Sequence, residues 1–389
     1  MKYFSVLTLC LAFYFPLCAK EVQPLSKGPF PVASTNMQIA DQYHEMSDDK
    51  MHLYLLGENS LIGRIKYVAD LLKYPKSAWI TPINVPDDNE LYGHVSGEKF
   101  DVISYVTFPT KPILNPKPYD FPYHKSNYGK FSHMLEPGEK PQLAKQDKFP
   151  LVILSHGSSA HGIYDIEHAN DIARHGYIVV VITYGENRTL KNFSNNHQNE
   201  FLRPLVTKEV IDSLLNSKDF GPYIDTKNIA ISGFSFGGFT ALATSGGKIN
   251  GIERTAHHSL ISAAVVAAPW TGGVYSGNEK YAFGHGHKGL TGVDIPVLTF
   301  FGTKDNVTSS DYILPAIKKL NGETYVVELV DQTHDLQEGS WQDRNNWEII
   351  FLNAYLKNDQ KALALLKGGT SMKGGNIDRQ LFEYQKKIK

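Results

Sequence analysis

A chain of 389 residues with 42% hydrophobic and 20% charged side chains is long enough for one large domain with embellishments or for two, and too apolar to remain disordered. Its 39 basic residues against 40 acidic ones leave a formal net charge of −1, so there is no basic excess to hold a nucleic-acid backbone. Both cysteines, Cys10 and Cys18, precede Lys20.

The leading segment starts with Lys2, is apolar over residues 3–17 and ends Leu17-Cys18-Ala19. That pattern predicts a secretory signal peptide over 1–19, cleaved after Ala19. The apolar run is shorter than the ~20 residues a membrane-spanning helix needs. A lipoprotein site through Cys18 would want a small residue where Leu17 stands. The expectation is a secreted or periplasmic protein whose mature chain has no cysteine. Disulfides, a cysteine nucleophile and thiolate metal sites are then excluded together.

Residues 20–98 read as an N-terminal extension that packs on or caps the core. Within it Leu61, Ile65, Val68, Leu71 and Leu72 recur at helical spacing. From Phe100 the texture changes. Residues 100–108 are strand-like, and a Pro- and Tyr-rich stretch without periodicity then runs to Phe149. A regular alternation follows, with strands expected at 151–155, 177–183, 229–232, 261–267, 296–301 and 325–330. Helices are expected at 162–175, 203–216 with Pro204 in the first turn, 236–245, 311–320 and 340–356. Continuous β-branched runs separated by helices predict an α/β fold: a mostly parallel central sheet covered on both faces, spanning 99–358. The Lys-rich tail, 359–389, reads as surface or partly ordered. The loop segments 111–148, 186–202 and 271–292, rich in Tyr, Phe, Asn and Gly, are expected to cover the site.

In such a sheet, sites form just beyond the carboxyl ends of strands. The strand at 229–232 runs into Gly233-Phe234-Ser235-Phe236-Gly237-Gly238. A G-x-S-x-G pattern between strand and helix predicts a sharp turn that exposes the Ser235 hydroxyl and aims the Phe236 N–H at the same space. The bare pattern also arises by chance in glycine-rich turns; the flanking strand and helix give it weight. A serine hydroxyl needs a base, and the base a carboxylate to hold its tautomer. Asp305 follows the strand at 296–301, and His334 follows the strand at 325–330. The order Ser, Asp, His along the chain is that of α/β-hydrolases. Asp331 and Asp335 flank His334 too closely in one loop to serve as well as Asp305. His285 and His287 stand two apart but lack a third ligand at a recognisable spacing, so no metal or organic cofactor is expected. After the strand at 151–155, His156-Gly157-Ser158 supplies a second oxyanion donor, the Ser158 N–H, beside that of Phe236. His156 is expected to hold this loop and to border the substrate-binding surface rather than act as a base.

On these residues the chain from about Phe100 to Leu356 resembles the α/β-hydrolase superfamily, and within it the group of dienelactone hydrolases and platelet-activating-factor acetylhydrolases. The likeness rests on residues 149–157 (FPLVILSHG), on 175–179 (HGYIV) and on 233–238 (GFSFGG). It implies the roles of Ser235 as nucleophile, His334 as base and the Phe236 and Ser158 N–H groups as oxyanion hole, while Asp305 as the acid rests on its place at a strand end. Two departures are visible. Dienelactone hydrolases carry a cysteine where this chain has Ser235. The mammalian acetylhydrolases take their acid after the preceding strand, where this chain reads Ala267-Ala268-Pro269-Trp270. The Pro269-Trp270 step is similar to that of bacterial cutinase-type polyester hydrolases, whose tryptophan walls the acyl site, and this makes Trp270 a substrate-binding candidate. The expected function is hydrolysis of carboxylic esters, with phospholipid or short-chain acyl esters as candidate substrates and transient contact with a membrane surface. A polyester hydrolase or peptidase on the same triad is the alternative, and a non-catalytic binding protein on the same scaffold is the rival class.

Overall fold

The computed structural model of the chain describes residues 20–38, 47, 79–121, 129–145, 148–158, 160–184, 196–251, 257–336, 338–373 and 380–385. The signal-like segment at 1–19 and the helical spacing at 61–72 lie outside the described residues.

The strands in chain order are β1 (Lys20–Val22), β2 (Val32–Ser34), β3 (Trp79–Asn84), β4 (Lys99–Pro109), β5 (Phe149–Ser155), β6 (Ile178–Thr183), β7 (Ile224–Phe234), β8 (Ile261–Ala267), β9 (Val297–Gly302), β10 (Thr324–Leu329), β11 (Gly369–Met372) and β12 (Gln380–Gln385). The helices are α1 (Asn89–Tyr92), α2 (Ile166–Arg174), α3 (Asn196–Leu215), α4 (Phe236–Thr244), α5 (Ser310–Ile317), α6 (Glu338–Leu356) and α7 (Gln360–Gly368). The main sheet runs β12-β10-β9-β8-β7-β5-β6-β4-β2, with β3 also paired to β4. From β6 through β10 every pairing is parallel; β4 and β12 join the two ends antiparallel.

Side chains alternate across a strand, so a sheet buried on both sides needs apolar residues at every position. Along β5, Leu151 and Ile153 enter one core cluster while Val152 and Leu154 enter the other. The first cluster is closed by α3, α4 and α5 through residues such as Val206, Phe239 and Ile313. The second is closed by α2, α6 and α7 through Ile172, Trp347 and Leu366. This is an α/β architecture with a mostly parallel central sheet between two helical layers.

Three features differ from the expected layout. The segment before residue 99 lends β2 and β3 to the sheet, which pair with β4. The tail after 358 forms α7 and also β11, which pairs with β1, while β12 pairs with β10. Finally, α3 begins at Asn196, so 196–202, expected as loop, is helical and Pro204 lies inside the helix. A proline there removes the N–H that would meet the Glu200 carbonyl and costs about 3 kcal/mol. The burial of the Phe201 and Leu202 side chains offsets that cost.

The strand order itself locates the functional end. After β5 the chain moves outward to β6, then returns across β5 to build β7 through β10 on the other side. The order therefore reverses between β5 and β7, and it is beyond the carboxyl ends at such a reversal that open α/β sheets form their sites.

Candidate active site

The turn after β7 holds Ser235 at φ 53° and ψ −117°, in a region that costs a non-glycine residue about 1–3 kcal/mol. The surroundings enforce it. The Ser235 N–H donates to the Ala267 carbonyl at 2.9 Å, and the Ser235 carbonyl accepts from the Trp270 N–H at 2.9 Å. The strand and helix also pass too closely for side chains: a Cβ on Gly233 would stand 2.1 Å from the Gly237 carbonyl oxygen, and one on Gly237 1.9 Å from that of Ser155. Phe236 opens α4, so its N–H has no partner within the helix and faces the crevice end with the positive pole of the helix.

The loops after β9 and β10 reach the same place because the parallel pairing of these strands continues past their ends. Thr303 N–H donates to the Leu329 carbonyl at 3.1 Å and Lys304 N–H to that of Gln332 at 2.9 Å. The exposed Lys304 ammonium and Asp331 carboxylate pair across the two loops at 3.0 Å. This brings His334 between the other two residues: its Nδ1 lies 2.8 Å from Asp305 Oδ2, and its Nε2 lies 3.0 Å from Ser235 Oγ. Asp331 and Asp335 are both exposed, and it is Asp305, buried, that meets the imidazole.

Burial pushes the Asp305 carboxyl up, but its hydrogen bonds with His334, with the Thr308 N–H and hydroxyl and with the Val307 N–H outweigh that and hold it below the ordinary carboxylate range. Asp305 is therefore ionised at neutral pH and accepts from His334 Nδ1–H. That leaves the Nε2 lone pair for the serine hydroxyl.

Two residues that sequence reasoning passed over complete this arrangement. The Thr308 hydroxyl lies 2.8 Å from Asp305 Oδ2 and 2.9 Å from the Ala268 carbonyl, so its one proton is shared between two acceptors. The spacing Asp305-x-x-Thr308 at a strand end was the available signal, because a threonine three residues on can satisfy a carboxylate in such a turn. Phe234 lies against the His334 ring, centroids 5.0 Å apart, and limits its swing.

His156 departs from the expectation that it borders substrate. It is buried, its Nδ1 lies 2.8 Å from the Gly157 carbonyl, and its Nε2 accepts from the Tyr184 N–H at 3.4 Å. With a carbonyl on one nitrogen and an N–H on the other it is the neutral Nδ1–H tautomer, and both nitrogens hold backbone. Ser158, by contrast, is exposed. Trp270 is half-buried and packs on Phe236 at 5.5 Å and on Phe239 at 5.4 Å, so it forms an aromatic wall next to the serine turn. The 271–292 segment is built of short turns and is tied down where the Ala282 N–H meets the buried Glu200 carboxylate at 2.9 Å.

His285 and His287 do not converge. His285 Nδ1 lies 2.9 Å from the Gly277 carbonyl at the surface, while His287 is buried, and burial pushes its pKa down against a bond to the Thr271 backbone. Among the described residues, no three of His, Cys, Asp and Glu are grouped so as to hold a metal ion. No protein-family model matches the chain, and no curated protein matches it.

Proposed function

We propose that this chain is a serine hydrolase of the α/β-hydrolase fold that cleaves carboxylic esters through an acyl-enzyme. The observation that carries the reading is the unbroken path Ser235 Oγ, His334, Asp305, with links of 3.0 and 2.8 Å. In the mechanism it supports, His334 Nε2 takes the Ser235 proton as Oγ attacks the ester carbonyl, and Asp305 stabilises the imidazolium that forms. The negative charge on the former carbonyl oxygen is met by the Phe236 and Ser158 N–H groups; loss of one such donor typically costs ~3–4 kcal/mol of barrier. His334 returns the proton to the departing alcohol and then activates water to release the acyl group. Every proton step is accounted for by this chain's own residues.

The aromatic wall of Trp270, Phe236 and Phe239 favours an acyl or aromatic ester group on that side of the serine, which suits phospholipid, short-chain acyl or polyester substrates. The signal-like segment at 1–19 supports a secreted or periplasmic site of action, with transient contact at a membrane surface where the ester is a lipid. Replacement of Ser235 by Ala tests the reading with p-nitrophenyl esters from acetyl to palmitoyl. Hydrolysis should fall by about 10⁴-fold or more for every chain length the parent accepts. Undiminished hydrolysis contradicts it, and a well-folded parent without activity on any ester, thioester or amide points to a binding protein. The chain-length profile separates short-chain esterase from lipid hydrolase.

A further inference from the structure

We propose that Arg203 is the positioning residue for the oxyanion side of this site: by holding two successive carbonyls it fixes the direction of the Ser158 N–H. The inference rests on the function proposed above and deepens it.

Arg203 lies on α3 and is buried, 1% exposed. Its guanidinium donates from Nη1 to the His156 carbonyl at 2.7 Å and from Nη2 to the Gly157 carbonyl at 3.1 Å. A planar fork matches two neighbouring acceptors in a way that an ammonium cannot. The fork is itself fixed, because it lies between two aromatic rings, 4.6 Å from the centroid of Tyr184 and 4.9 Å from that of Phe236. The Tyr184 hydroxyl donates to Ser155 Oγ and also lies 2.8 Å from Thr207 Oγ1, so the ring has no freedom to slide.

The consequence follows from peptide geometry. In a trans peptide the carbonyl and the next N–H point in opposite directions, and no cis peptide occurs among the described residues. The Gly157 carbonyl is drawn toward Arg203 and also accepts from His156 Nδ1 at 2.8 Å. The Ser158 N–H therefore points away from both. Gly157 itself lies against the nucleophile, since a Cβ placed on it would be 3.5 Å from Ser235 Cβ. A donor leaving this peptide on the side opposite Arg203 is aimed into the crevice. A carbonyl that accepts from a cation also polarises its peptide, which makes the attached N–H a stronger donor. On the other side of the serine, the Arg203 fork packs on the ring of Phe236, the residue that supplies the other donor.

The test compares Arg203→Met and Arg203→Lys with the parent on an ester and its matched thionoester. A C=S group accepts hydrogen bonds poorly, so the ratio of ester to thionoester rates reads the oxyanion donors specifically. Arg203→Met should lower kcat on the ester by about 10²-fold with KM little changed. The ester-to-thionoester ratio should collapse by a similar factor, while the pH profile of kcat keeps its shape. Arg203→Lys, which keeps the charge and packs in the same channel, should fold and fall between the two. Loss of rate shared equally by ester and thionoester would make Arg203 a structural residue only and overturn the inference. A lysine variant with the parent's kcat and ratio would overturn it too, even if the methionine variant fails to fold. A parent enzyme inactive on both substrates would instead remove the function on which the inference rests, and the inference with it.

Discussion

His334 and His168 each lie against a carboxylate, at 2.8 Å from Asp305 and 3.3 Å from Glu348, and they differ in what meets the second ring nitrogen. For His334 it is the Ser235 hydroxyl, which can give a proton as well as take one. For His168 it is the Asn345 side-chain oxygen at 2.6 Å, which only accepts. The nearby Glu348 carboxylate favours the charged form of His168, whose Nδ1–H can meet the Asn345 oxygen. Burial alone pushes its pKa down; the Glu348 carboxylate outweighs burial and raises it, with Arg344 opposing. Glu348 is held below its ordinary range by His168 and Arg344 against its own burial. The two pairs also differ in access, with His334 16% exposed and His168 1%. The same two side-chain types form a Ser–His–Asp path within reach of solvent at the carboxyl end of the sheet and a sealed pair between α2 and α6. Partner chemistry and access decide which.

Breaking the pairs in turn should separate these roles. The largest effect belongs to His334→Ala, which should cut kcat by about 10⁵–10⁶-fold on an ester substrate. Its unfolding free energy should change by less than about 1 kcal/mol in urea titration, because the ring is half-buried at a loop. Asp305→Asn should cost about 10⁴-fold in kcat by releasing the tautomer. It also carries a stability signature. The Asp305 pKa is depressed on folding, so its stabilisation is present above the unfolded value of about 3.9 and disappears as pH falls through the folded value. The asparagine variant should show a flatter fall of thermal midpoint on acidification.

Glu348→Gln should do the reverse of the triad variants: a loss of about 3–5 kcal/mol in stability, with kcat of the folded protein unchanged. The parent pair is stabilising below the raised folded pKa of His168 and above the lowered one of Glu348, and loses that contribution beyond either limit. Calorimetric midpoints across pH should show this window in the parent and not in the variant. Smallest of all, Thr308→Val removes one hydroxyl from Asp305 and should lower kcat by roughly 5–10-fold, the equivalent of one hydrogen bond of about 1–1.5 kcal/mol. Steady-state kinetics at fixed pH would reveal it.

The strands from β4 to β10 were legible by their apolar and β-branched runs, although β7 begins earlier than its run, at Ile224, with the polar stretch 225–228. β2, β3 and β12 were not, since each is short or polar and gains its place by pairing with a distant partner on an edge. Ser235, Asp305 and His334 were legible because each follows a strand directly, where topology gathers side chains. Arg203 was harder. It stands on the α3 face shared with Leu202, Val206 and Val210, and a cation on an apolar stripe was the only mark it left. What it holds depends on the distance between α3 and the loop after β5, which no local pattern encodes. His156 shows the converse, since its position drew notice but its two backbone partners became apparent only in three dimensions.

The most direct measurement on the central claim is reaction of the folded chain with a fluorophosphonate probe, followed by peptide mass analysis. One phosphonyl adduct on Ser235 is expected, formed at a rate that drops sharply in the His334→Ala and Asp305→Asn variants. A folded protein that takes up no probe, or takes it up on another residue at a rate indifferent to His334, would contradict the account.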